Sequence, residues 1–137
     1  MGPNDADIIR VYTREATGEV ADNTLDPSAD AMVVVDLEAG SAVLGNGAQW
    51  QVGIVVKDLV AGSVIPFNQT PTTAVNGHLG TSPWTTQSET FQYTIPAANL
   101  GPHKGNLCQV YAYLLIGTSA ANYDSSFVES EPFLVLP

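Results

Sequence analysis

The sequence predicts an all-β protein, an antiparallel sandwich of about seven to nine strands. Apolar residues recur at every second position in several segments, the pattern of strands buried on one face. The 12 Gly and 9 Pro are scattered rather than clustered, which suits many short strands joined by turns. No segment holds a 3.6-residue apolar stripe for more than a turn or two, which leaves no room for long helices. A length of 137 residues fits one domain, residues 1–137, and 45% hydrophobic residues suffice for a core without disulfide or metal staples.

The first expected strand is Asp7 to Thr13, with Ile9 and Val11 inward and Ile8, Arg10 and Tyr12 on the other side. Residues 14–30 are polar and acidic around Pro27 and carry no clear element. Ala31, Val33, Val35 and Leu37 then share one face. A weaker strand, Ser41 to Leu44, is followed by Gly45-Asn46-Gly47, which reads as a hairpin turn. The cleanest alternation comes next: Trp50, Val52, Ile54 and Val56 against Gln51, Gly53, Val55 and Lys57. A structureless loop of about 30 residues is unusual in a compact domain, so residues 59–88 are expected to hold short edge strands near 63–67 and 71–76. Phe91, Tyr93 and Ile95 alternate with Gln92 and Thr94 until Pro96 removes a donor from the ladder. After a loop containing Gly101-Pro102, Cys108, Val110, Ala112, Leu114 and Ile116 define a core face. The opposite face of that strand, Leu107, Gln109, Tyr111, Tyr113 and Leu115, is amphipathic rather than polar. Phe133 to Leu136 closes the chain as a last apolar strand.

With a tryptophan opening the third major strand and an alternating hydrophobic strand late in the chain, the sequence resembles the immunoglobulin and fibronectin type III sandwiches. The resemblance implies that Trp50 is the core tryptophan and that Cys108 or Val110 faces Val33 or Val35. The early partner is valine, so the disulfide of antibody domains is absent and the packing is apolar. The ending Glu129-Ser130-Glu131-Pro132-Phe133-Leu134-Val135 looks like the final strand of bacterial immunoglobulin-like modules. A tyrosine corner needs Tyr two residues before the late core cysteine, where this chain has Asn106, and Tyr111 is the other candidate for that role. The likeness is architectural, with no family motif behind it, and such sandwiches host unrelated functions.

Charge excludes two partner classes. The net charge is -10, with 14 acids against Arg10, Arg14, Lys57 and Lys104. Four scattered cations do not neutralise a run of phosphates, so neither nucleic acid nor an anionic membrane is an expected partner. No apolar stretch is long enough to span a bilayer, and the start Met-Gly-Pro-Asn-Asp lacks the basic and apolar regions of a signal peptide, so the expectation is either a cytoplasmic setting, taken by default, or an exported chain whose signal has been removed.

Catalytic chemistry finds little to use. His78 and His103 lie in loop-like settings at no zinc-binding spacing, and both read as exposed loop residues. No Gly-x-Ser-x-Gly elbow occurs, and Cys108 sits on an apolar face where burial makes a thiol inert. Glu129 and Glu131 point the same way from an extended segment and do not flank a cleft, so edge protection explains them. Asp22, Asp26 and Asp30 are spaced by four and interrupted by Pro27, which fits no EF-hand, although calcium sites of other kinds occur in secreted sandwiches. No cofactor is expected.

Two surfaces remain. Tyr111, Tyr113 and Leu115 form a stripe suited to a second subunit, a protein partner or a hairpin from residues 59–88. Trp84, in a loop-like Thr-Ser-Pro-Trp-Thr-Thr setting, and Tyr123 could instead join at one end of the sandwich as a platform for sugar, against the preferred reading that Trp84 folds under to cap the core. The sequence therefore reads as a non-enzymatic interaction or structural module that self-associates through its amphipathic face. The alternative is a carbohydrate-binding module using Trp84 and Tyr123, with or without a structural calcium.

Overall fold

Alternation becomes two sheets in the computed structural model, which describes residues 5–18, 20–68, 76–117 and 123–137. The first sheet has the order β1 (Ala6–Glu15), β3 (Ala31–Ala39), β6 (Ser88–Ile95), all antiparallel. The second has the order β2 (Thr24–Leu25), β9 (Phe133–Val135), β7 (Leu107–Gly117), β4 (Gln49–Asp58), β5 (Asn76–His78), and β8 (Tyr123–Glu129) also pairs with β7. β4 occupies one edge of β7 along Cys108 to Gly117. β8 and β9 follow each other along the opposite edge, β8 on Tyr111 to Gly117 and β9 on Leu107 and Cys108. Between them Ser130 is buried, and its hydroxyl accepts the Val110 amide at 3.0 Å, so the ladder is continued by a side chain before Pro132 interrupts it. Among the described residues only β2 runs parallel to its neighbour, Leu25 lying opposite Val135. This is an immunoglobulin-like β-sandwich.

The core between the sheets is built from the expected positions. Ala31, Val33, Val35 and Leu37 face Trp50, Val52, Ile54 and Val56 together with Cys108, Val110, Ala112 and Leu114, all within one buried cluster. Trp50, at 2% exposure, packs against Phe91 (ring centroids 5.4 Å apart) and Trp84 (5.6 Å). Trp84 in turn meets Phe91 edge-on at 6.1 Å. Such pairs add to the stability that burial already supplies.

Four local expectations change. In β1 the register shifts between Ile8 and Arg10, so Ile8 is buried and Ile9 is 50% exposed, the reverse of the predicted phase. The first half of the strand has its core residues at Ala6 and Ile8, the second at Val11 and Thr13, and only a bulge lets both sets face inward. Ser41–Gly45 is a short helix, α1, rather than a strand. β3 and β4 belong to different sheets, so a hairpin cannot join them and the chain must cross the roughly 10 Å between layers. α1 makes that crossing with Val43 turned into the core, and Gly47, at φ +64°, directs the chain into β4. Near 63–67 no continuous strand forms: Val64 makes a single bridge to Lys57, while Ile65 is buried. Of 71–76, residues 71–75 lie outside the described residues, and Asn76 begins β5. Ala97–Leu100 is a one-turn helix, α2, leading into a 3-10 turn at Gly101–His103. Among the described residues no helix is long and apolar enough to cross a membrane.

Candidate functional site

The residues singled out for chemistry are dispersed. Trp84, read either as a loop platform for sugar or as folding under to cap the core, does the latter: it is at 0% exposure beside Trp50 and Phe91 and offers no face to a sugar. Its flanking Pro and Thr residues look like loop sequence, but the segment folds back through a Thr81–Trp84 bridge and turns the indole under the sandwich. The backbone of Tyr123 starts β8 opposite Gly117, and its side chain lies outside the described residues. The carboxylates considered for calcium are each held by a local turn or helix start. Asp22 accepts the amide and hydroxyl of Thr24, Asp26 those of Ser28, and Asp30 the amide of Ala97. Among the described residues no three His, Cys, Asp or Glu side chains gather around a point that could hold a metal ion. Glu129 and Glu131 are both exposed, and Glu131 accepts a hydrogen bond from Asn23 at 2.9 Å. Tyr111 makes no corner; its hydroxyl reaches Gln109 on its own strand at 3.2 Å.

One charged cluster is buried, and the sequence reading missed it. Asp58 ends β4 in phase with Trp50, Val52, Ile54 and Val56, and its side chain is fully enclosed. One carboxylate oxygen accepts the amides of Val60 and Ala61, each at 2.9 Å. The other accepts His103 Nδ1 at 2.6 Å and Asn106 Nδ2 at 2.7 Å. Burial pushes the Asp58 pKa up, but the Ala61 amide, Asn106, His103 and the Val60 amide together outweigh it and hold the carboxyl well below its usual range. Facing an ionised carboxylate, His103 Nδ1 carries the hydrogen. His103, expected to be exposed, is therefore an anchor that ties the 3-10 turn and the start of β7 to the end of β4. Both carboxylate oxygens are fully engaged by protein donors, two backbone amides on one and His103 and Asn106 on the other. The legible signal was Asp58 itself, since a carboxylate at a core-phase position requires donors.

Cys108 lies directly opposite Asp58 in the β4–β7 ladder. Burial, with a smaller contribution from the Asp58 charge, pushes its thiol up to about 12. At pH 8 the thiolate fraction is then about one in ten thousand, so native protein should react with a thiol-specific disulfide reagent at least about a thousandfold more slowly than unfolded chain. Rapid stoichiometric labelling of folded protein would contradict this placement.

The predicted stripe of Tyr111, Tyr113 and Leu115 is a different matter. These side chains share the outer face of the second sheet, and neighbouring strands extend it. Register gives three rows across β4, β7 and β8: Val55–Tyr111–Glu129, Gly53–Tyr113–Phe127 and Gln51–Leu115–Ser125. Phe127 is 62% exposed and Val55 41% exposed, while Tyr111, Tyr113 and Leu115 are half-buried. Tyr111 and Phe127 stack across the strands at 6.1 Å and 29° between planes. Tyr113 leans the other way, over β4, where a Cβ at Gly53 would overlap its Cζ, Oη and Cε1 atoms. Glycine at 53 is what lets the phenol lie down. The outer face of the first sheet is unlike this one. There Arg10 pairs with Asp36 at 2.8 Å and lies over the Tyr12 ring, and Thr90 donates to Asp36 at 2.8 Å.

No protein-family model matches the sequence, and no curated protein matches it. In structure the chain is similar to AggA, the major subunit of aggregative adherence fimbriae type I from Escherichia coli. That likeness has a TM-score of 0.50 at 9% identity and covers 96% of each chain. It is also similar to PapD-like domain 7 of human CEP192, with a TM-score of 0.39 at 11% identity over 94% of this chain and 85% of that one. At such identities the likeness is one of fold.

Proposed function

We propose that the protein is a non-enzymatic interaction module that docks other protein through the outer face of β4, β7 and β8. One observation carries this reading: Val55, Tyr111, Tyr113, Leu115 and Phe127 form a continuous apolar and aromatic surface on a face otherwise expected to be polar. Aromatic residues are the side chains most enriched where proteins bind one another, because each removes a large area from water at low entropic cost. The chemistry available elsewhere is compatible with this reading, since the Asp58 carboxylate is engaged by four protein donors and Cys108 is buried with a raised pKa. Likeness in fold to a fimbrial subunit is compatible with the proposal and does not carry it.

The test is a photoreactive amino acid at position 127, compared with the same residue at Gln92, an exposed position on the other sheet. In cells of the natural host, position 127 should give discrete protein adducts on illumination and position 92 should not. Equal adducts at both positions, or none at 127, would sink the reading.

A further inference from the structure

We infer that the occupant of this face is a second copy of the chain, related by a two-fold axis that lies in the interface and runs along β7. The inference rests on the reading above and adds the partner and its geometry. Such an axis lays β7 on β7 and brings β4 of one copy over β8 of the other. Two features of the face are complementary under this operation.

The first is shape. Phe127 is the most exposed large side chain of the face, and Gly53 occupies the same row two strands away. The Tyr113 ring lying over Gly53 forms a low aromatic floor. The two-fold places Phe127 of each copy on that floor in the other, so the highest point meets the lowest. Ring-on-ring contact is a favoured arrangement for two aromatic groups.

The second is charge. Lys57 lies on β4 and Glu129 on β8, both exposed and on opposite sides of the tyrosine stripe. Their rows are one residue pair apart, roughly 7 Å by strand rise. The same axis puts Lys57 of each copy beside Glu129 of the other, within reach of the lysine stem, and makes two such pairs per dimer. An axis running across the strands would lay β4 on β4 and β8 on β8, setting Phe127 against itself and giving Lys57 no anion. The face is thus locally neutral on a chain whose net charge is -10, which removes like-charge repulsion at the contact.

The experiment is sedimentation equilibrium at low salt on full-length protein up to about 1 mM, the concentration below which any useful association shows itself. Wild type should dimerise. Lys57→Glu and Glu129→Lys should each weaken the dimer at least about tenfold, because each creates two like-charge contacts. Mixing the two single variants should restore association as a heterodimer, and the double variant should dimerise by itself. Phe127→Ser should be monomeric. All three positions are exposed, and thermal melts by circular dichroism confirm folding of every variant. A monomeric wild type, unchanged single variants or an unrescued mixture would each overturn the two-fold pairing. If position 127 nevertheless cross-links to a different protein, the interaction reading survives without the second copy. If it cross-links to nothing, both fail.

Discussion

Replacing Asp58 with alanine is expected to lower stability by about 3–5 kcal/mol, a large share of what holds a domain of this size together. The carboxylate is enclosed and receives four hydrogen bonds, from two amides, an imidazole and a carboxamide. Alanine leaves four donors without the carboxylate, His103 in a buried site and the Val60 and Ala61 amides and Asn106 in part-buried ones, and a buried orphan costs about 1–3 kcal/mol before relaxation. Asparagine does not rescue the site. Its amide nitrogen would be set against the donors of either Val60 and Ala61 or His103 and Asn106, so Asp58→Asn should fall between alanine and wild type. Urea denaturation checks both variants. The pH dependence follows from the direction of the pKa shift. A carboxyl depressed by folding contributes its full stability above its unfolded pKa, about 4, and loses it as pH falls from there towards the folded value. Wild type should therefore lose its advantage over Asp58→Ala progressively below about pH 4. An alanine variant within about 1 kcal/mol of wild type at pH 7 would mean that water satisfies the freed donors.

Trp50→Ala is the second large effect, again about 3–5 kcal/mol. The indole sits where both sheets meet, between Trp84 and Phe91, and its removal opens a cavity that rigid strands on both sides cannot collapse into. Trp50→Phe should cost much less, at most about 2 kcal/mol, for a reason particular to this site. Among the described residues the buried indole Nε1 has no hydrogen-bond partner, so phenylalanine gives up volume and also relieves an unsatisfied donor. Denaturation midpoints of the two variants separate these contributions. If Trp50→Phe is as damaging as alanine, the indole nitrogen has a partner in solution. Neither variant touches the outer face, so the dimer constant of whatever folded protein remains should be unchanged.

The stripe on β7 was legible because period two assigns faces without knowledge of neighbours: once Cys108 to Ile116 point inward, Tyr111, Tyr113 and Leu115 must point out. Phe127 was not legible as part of it. Its segment, Tyr123–Glu129, is mostly polar, and only its pairing with β7 sets Phe127 beside Tyr113. Gly53 was legible as an outward position of β4, but nothing in its own segment marked it as the place where the Tyr113 ring lies. For Trp84 the loop-like neighbours left two readings open, a sugar platform or a cap on the core, and packing against Trp50 and Phe91 decided for the core.

Local alternation determined that β3, β4, β6 and β7 form, which face of each is apolar, and that Trp50 is central, because those properties depend on residues two apart along one segment. Tertiary structure alone decided the bulge at Ile9, the crossing by α1, the enclosure of His103 by Asp58 and the full extent of the aromatic face. Each of these depends on which segment lies alongside which, and pairing between distant strands is set by the packing of the whole core rather than by any window of the sequence.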